Sequence, residues 1–347
     1  MFKRSFAIIA LTFAFAFLEK SFGAATMPAY SINAQAVPAD KSDAKGVRRP
    51  AVLDYNGDSK TDYTVVRNTG GGPDGQVTWF TKLNGGNPTT PFNWGIASDI
   101  FLSGDFDGDR KSDITVWRPS NATFYILQSQ SLTVRLDQLG QDGDDPTIVG
   151  DYDGDGKDDV AVYRPGVQSR WFYRTNPTAF FTAVDWGTTG DYVAPGDYDG
   201  DSKADFVIYR VAFGNGSVFK RLSTGTFSTE DFGFPGSLIS VVPGDYDGDG
   251  KTDISLWGLT LIGNWQWHFE PSGTPGITRV SDVWGEFVDI PVQGDYTGDG
   301  KTDYAVWRPS NGTFYIMTVT GEISTTQFGQ IGDLPVGNSN AHDNVAQ

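Results

Sequence analysis

Six near-copies of one nine-residue stretch limit what this 347-residue chain can fold into. The third copy, Asp151-Tyr-Asp-Gly-Asp-Gly-Lys-Asp-Asp159, carries carboxylates at positions one, three, five and nine. Carboxylates this close repel one another, so the run is costly unless a cation neutralises it. Hard oxygen donors at alternating positions of a tight loop suit Ca²⁺, which takes six to eight oxygens at flexible geometry. Gly154 permits the turn that brings the side chains to one centre, and the carbonyl at position seven, Lys157, is the expected backbone ligand.

The candidate ligands of the third loop are therefore Asp151, Asp153, Asp155, Lys157 and Asp159. The first loop offers Asp54, Asn56, Asp58, Lys60 and Asp62, the second Asp105, Asp107, Asp109, Lys111 and Asp113. The fourth offers Asp197, Asp199, Asp201, Lys203 and Asp205, the fifth Asp245, Asp247, Asp249, Lys251 and Asp253. The last has Asp295, Asp299, Lys301 and Asp303, with Thr297 at position three. Starts lie 51, 46, 46, 48 and 50 residues apart, the signature of an internal repeat. Up to six Ca²⁺ ions are expected.

The formal charge is −17, and ligand positions one, three, five and nine of the loops hold 22 of the 43 acidic residues. A chain this acidic repels phosphates, which argues against a nucleic-acid partner. There is no Cys, hence no disulfide framework and no thiolate metal site. Lys3 and Arg4 precede an apolar run from Phe6 to Leu18, and small residues follow from Ser21 to Thr26. This is the pattern of a secretory signal, assigned to residues 1–25, and the run is short for a membrane anchor. Residues 26–48 read as a flexible lead-in, and 49–347 as the repeat region. The expected location is secreted or at the cell surface, with no membrane span once the signal is cleaved.

Each unit follows one order. A short apolar stretch runs into the first loop Asp, as in Ile290-Pro-Val-Gln-Gly-Asp295. The loop leads to a strand such as Asp303-Tyr-Ala-Val-Trp-Arg308, then a turn and a second aromatic strand, Thr313-Phe-Tyr-Ile-Met317. A last strand ends in an aromatic or Leu before Gly, as at Trp94-Gly95, Leu139-Gly140, Trp186-Gly187, Phe232-Gly233, Trp284-Gly285 and Phe328-Gly329. Both alternating sets of side chains after each loop are mostly apolar, so the sheets have two covered faces. Four short strands in about 48 residues, covered on both faces, predict an all-β β-propeller of about six four-stranded blades. Asp333-Leu-Pro-Val-Gly337 starts like a further unit with no acidic loop behind it. It gives seven blades if it closes one of its own, or serves ring closure.

The aromatic-Gly pair, the Pro-Gly-Asp entry at Pro243-Gly-Asp245 and the loop together resemble FG-GAP (VCBS) repeats, the calcium-binding repeats of integrin α-chain propellers. The resemblance covers about residues 49–340. It implies that each loop lies between the first two strands of a blade and holds Ca²⁺. The implied function is adhesion, with an extracellular carbohydrate or protein as ligand, and no enzymatic activity. Asn56 is a tolerated departure at position three; Thr297 puts the last site in doubt.

Other readings fit less well. EF-hands need flanking helices and a Glu at position twelve, where the second loop has Val116. Lys251-Thr252 and Lys301-Thr302 lack the glycine that a P-loop requires. Arg67, Arg118, Arg164, Arg210 and Arg308 end one strand in five units, with Gly258 in the other. They suggest either an anionic-glycan ring or a repeated structural pairing, and the repetition favours pairing. Binding usually resides in connections that vary on a fixed scaffold. The widest departures are Asn68 to Asn93 and Gly258 to Thr278, and the second carries Trp265 and Trp267, two residues apart on one strand face. These two are the candidate sugar platform, with packing between blades as the alternative. The expected function is an exported, calcium-binding ligand-binding or adhesion module. A polysaccharide-degrading lyase-like propeller and a purely structural surface protein are the alternatives.

Overall fold

The computed structural model describes residues 53–337, apart from 213–214, 234–235 and 275. The export signal, the lead-in, and residues 49–52 and 338–347 of the repeat region lie outside the described residues. Among the described residues no helix is long and apolar enough to cross a membrane.

The strands form six antiparallel sheets, the blades of a β-propeller. Blade two is representative: Ile100–Gly104, Asp113–Arg118, Thr123–Leu127 and Val134–Gln138 lie side by side in chain order. In blade three the first strand is reduced to bridges at Asp145↔Tyr163 and Gly150↔Asp159, beside three full strands. Blade one draws on both ends of the chain. Its order is Leu334–Pro335, Tyr63–Asn68, Gln76–Lys82 and Phe92–Ile96. The C-terminal partial unit therefore makes no seventh blade; it supplies the missing first strand of blade one and closes the ring.

Both faces of the second strands are covered, as their composition requires. Tyr304, Ala305, Val306 and Trp307 are all buried. One set of side chains packs on the preceding blade and the other on the following one. Trp117, Phe124 and Ile126 of blade two meet Val160 and Val162 of blade three. Trp257 and Trp267 of blade five meet Tyr304 and Val306 of blade six. Trp307 and Phe314 of blade six meet Tyr63 and Val65 of blade one. Side chains of this size contribute roughly 1.5–3 kcal/mol each when buried.

The aromatic-Gly pairs have a specific task within this packing. The carbonyl just before the glycine accepts a buried indole N–H in five blades: Trp79 to Trp94 (2.9 Å), Trp117 to Leu139 (3.2 Å), Trp171 to Trp186 (3.0 Å), Trp257 to Trp284 (2.9 Å) and Trp307 to Phe328 (3.4 Å). Burying an indole N–H is costly without an acceptor, and the end of the last strand provides one for these five.

Candidate metal centres

Loops two to six join the first and second strand positions of their blades, loop one leads into the second strand of blade one, and each winds around its own first carboxylate. That carboxylate accepts the N–H of position four at 2.6–2.7 Å and of position six at 2.7–2.9 Å. Position five accepts the N–H of position seven at 2.9–3.0 Å. Position nine reaches back to the N–H of position two at 2.8–3.0 Å. The loop sequence thus encodes a turn stabilised by its own acids, and the donors left over converge.

Convergence is clearest in loops two to five. There positions one, three and nine place carboxylate oxygens within 4.8 Å of one another: Asp105, Asp107 and Asp113; Asp151, Asp153 and Asp159; Asp197, Asp199 and Asp205; Asp245, Asp247 and Asp253. Position five stands outside these trios. Its carboxylate is engaged by the position-seven N–H and, in loops two, four and five, by the hydroxyls of Ser129, Ser223 and Ser272. The same three serines donate their backbone N–H to position nine, at 2.6–2.8 Å. They come from the turn between the third and fourth strands and had no part in the motif. Their signal was there, one Ser 16 to 19 residues beyond each position-nine Asp.

Burial makes these carboxylates reluctant to ionise. It pushes Asp62, Asp113, Asp253 and Asp303 up to about 7, Asp159 to about 8 and Asp205 to about 6, with neighbouring loop carboxylates adding to the effect. Position one is raised by burial in Asp54, Asp105 and Asp245. An all-oxygen set that resists ionising without a partner fits a hard divalent cation such as Ca²⁺.

Loops one and six lack the third carboxylate. Asn56 still takes Asp's place in the turn, its Oδ1 accepting the Asp58 N–H at 2.8 Å. Thr297 does not; its own N–H turns to Asp303 at 3.1 Å. Affinity in such loops follows ligand charge and rigidity. In a calcium titration followed by native mass spectrometry, Asp303→Ala is expected to leave the tightest ions untouched, while Asp159→Ala removes one of them. Equal loss of tight binding in both variants would contradict that order.

The loops are clasped to one another around the ring. The N–H at position eight donates to the position-one carbonyl of the preceding blade: Ser112 to Asp54, Asp158 to Asp105, Ala204 to Asp151, Thr252 to Asp197, Thr302 to Asp245 and Thr61 to Asp295, all at 2.6–2.7 Å. The Asp158 carboxylate and the Thr252 hydroxyl also accept the position-one N–H, at 2.8 and 3.0 Å. Glycine precedes position one in loops two to six, with Leu53 there in loop one, and in loop four the approach leaves no room for a side chain. A Cβ on Gly196 would stand 2.5–2.8 Å from the Thr252 side chain. The position-seven lysines lie with their stems against the preceding loop's glycine, as Lys203 does on Gly154 and Lys60 on Gly298. A side-chain role thus stands beside the carbonyl role assigned from sequence.

The arginine ring is committed to structure. Arg67, Arg118, Arg164, Arg210 and Arg308 each form a two-pronged pair with a buried carboxylate: Asp333, Asp99, Asp144, Asp191 and Asp289, at 2.6–2.9 Å. Each guanidinium also lies 4.3–4.7 Å over a ring, of Phe80, Tyr125, Phe172, Phe219 or Tyr315. The partner Asp stands four residues after the aromatic-Gly glycine, a spacing readable in the sequence but overlooked. In blade five both members are replaced, by Ser237 and Gly258.

The proposed tryptophan platform needs correction. Trp267 is fully buried and donates its Nε1–H to Tyr246 Oη at 3.0 Å, so it offers no face to a sugar. Trp265 is partly exposed but stacks on Trp257 with ring centroids 4.3 Å apart. Two side chains on one strand face point into the same blade interface, and here that interface is core.

Residues 151–208 and 197–255 match the model for the FG-GAP-like repeat. The chain carries FG-GAP-like repeats. No curated protein matches it. Among solved structures it is similar to TolB from Acinetobacter baumannii, at 17% identity and TM-score 0.55, over 79% of this chain and 66% of that one. A triple arginine-to-alanine mutant of AofleA from Arthrobotrys oligospora gives 11% identity and TM-score 0.50, over 76% and 82%. A streptogramin B lyase gives 13% and 0.45, over 77% and 88%. The first two likenesses show the propeller fold; the matched residues 151–255 contain loops three to five, whose acidic clusters could hold metal ions.

Proposed function

We propose that this chain is an exported calcium-binding propeller that presents a ligand-binding surface to extracellular carbohydrate or protein. The observation that carries this reading is the division of labour around the ring. Loops, clasps and arginine pairs repeat from blade to blade, with calcium as the cation that the carboxylate trios suit. Variation is widest in the connections, above all those of blade five, where the arginine pair is replaced as well. A scaffold held this uniformly is what binding connections need, since they work when a rigid frame fixes them. In this reading the chain is not an enzyme. Of its two histidines, His268 is buried, with burial lowering its pKa, and His342 lies outside the described residues.

A screen of immobilised glycans and matrix proteins, run with calcium and with chelator, tests the proposal. Saturable binding that disappears with chelator is the expected result. Absence of binding on every surface, alongside turnover of a polysaccharide, would replace this reading with the lyase one.

A further inference from the structure

Between blades five and six, on the side of the metal loops, lies a cavity of about 580 Å³. Asp247 and Asp249 of loop five line it, with Arg279, Lys301, Thr320 and the edge of Tyr304. Arg279 is exposed and makes no ion pair among the described residues.

The chain contains its own comparison. In the strand register Arg279 faces Phe269, which faces Ser255, two residues after Asp253. Arg135 faces Ile126, which faces Thr115, two residues after Asp113. Arg135 is therefore the same position in blade two, and there the guanidinium is satisfied. Its Nε–H donates to Asp137 at 2.6 Å and its Nη1–H to the Phe106 carbonyl at 3.3 Å. Asp137 is almost fully buried. The residue at that place in blade five is Ser281, whose hydroxyl is taken up by the backbone of Trp267 and Asp282. One blade places an internal carboxylate beside its arginine; the other has a serine there, and its arginine lines the cavity instead.

We propose that the cavity between blades five and six binds the carboxylate of a short acidic saccharide, with Arg279 pairing it as Arg135 pairs Asp137. This rests on the ligand-binding reading above and gives it a site and a substrate class. A guanidinium matches a carboxylate in a planar, two-pronged pair, which selects for an acid over a neutral sugar. The volume holds one or two sugar rings beyond the acid group. The chain's net charge of −17 disfavours long polyanions, so the ligand is short. Calcium in loop five would reduce the repulsion from Asp247 and Asp249, and Lys301 adds a second positive charge to the lining. The site lies beside a metal loop, where Arg279–Val280, the strand that follows the variable connection of blade five, meets blade six.

Calorimetric titration of the calcium-saturated protein with digalacturonate, its dimethyl ester and tri-glutamate tests the site. Digalacturonate is expected to bind one to one, and the ester at least tenfold more weakly. Arg279→Ala should weaken digalacturonate binding at least tenfold with an unchanged melting temperature, and Arg279→Lys should recover part of it. The proposal is overturned if digalacturonate does not bind, if acid and ester bind alike, or if Arg279→Ala has no effect. Tighter binding of tri-glutamate would overturn the saccharide assignment in favour of an acidic peptide. Neutral glycans that bind independently of Arg279 would overturn this site while leaving the ligand-binding reading in place.

Discussion

Adding chelator to the purified protein is expected to lower its melting temperature by on the order of 20 °C, and the loss should grow as pH rises from 5 to 8. An ion that binds only the folded state stabilises it by about 2.7 kcal/mol when present at a hundred times its dissociation constant. Four carboxylate trios of this kind therefore contribute about 11 kcal/mol, within the range of a whole domain's stability. For a chain of this size each kcal/mol is worth roughly 2–3 °C. The clasps spread the effect, since each loop's first carbonyl receives the next loop's N–H. A loop that loosens without its ion releases its neighbour.

The pH dependence follows from the position-nine acids. In the chelated protein their folded pKa values, about 6 to 8, stand above the ordinary 3.8. Between those values the folded state holds more protons than the unfolded one, so stability falls as pH rises from about 4 and levels off above about 8. With calcium bound, the same carboxylates are held ionised and protons compete with the metal, so stability rises over that window. Melting curves across pH 5 to 8, with and without chelator, should therefore diverge. Curves that coincide at every pH would end the calcium reading.

Much of this was legible in the sequence, because repetition converts a weak local signal into a strong one. The six loops, the aromatic-Gly ends and the two-sided apolar strands specified blades and their order. What escaped were partners supplied from elsewhere in the chain. Ser129, Ser223 and Ser272 bind the loops from a distant turn, and Asp99, Asp144, Asp191 and Asp289 reach an arginine 19 or 20 residues later while Asp333 reaches back to Arg67. A serine or aspartate in a turn looks alike whether solvated or buried against a partner. Trp265 and Trp267 failed for a related reason: period two says which residues share a face, but not whether that face meets water or another blade.

Ending the chain at Gly332 is expected to remove most of the remaining stability, although only the last few described residues are lost. Every other blade takes its first strand position from the segment leading into its own loop. Blade one borrows Leu334–Pro335 from the far end, pairing with Val66 and Val65. Three losses coincide. Val336 is completely buried, a contribution of roughly 1.5–3 kcal/mol, and its N–H bonds to the Thr64 carbonyl at 3.0 Å, worth about 1 kcal/mol net. Asp333, fully buried, holds Arg67 through two bonds at 2.6 and 2.8 Å. Stranding that guanidinium costs roughly 2–3 kcal/mol, discounted because Arg67 keeps some contact with solvent. Together these reach roughly 5–7 kcal/mol, against a typical total of 5–15. The truncation also bares Tyr63–Asn68 as an open edge able to pair with another copy. Urea unfolding and size-exclusion chromatography of the truncated chain should show a lower midpoint and larger species. Asp333→Asn, which keeps the strand, should cost only the ion-pair share. A truncated monomer that melts within a few degrees of the full chain would show that blade packing alone, through Trp307 and Phe314 against Tyr63 and Val65, is enough to hold the ring closed.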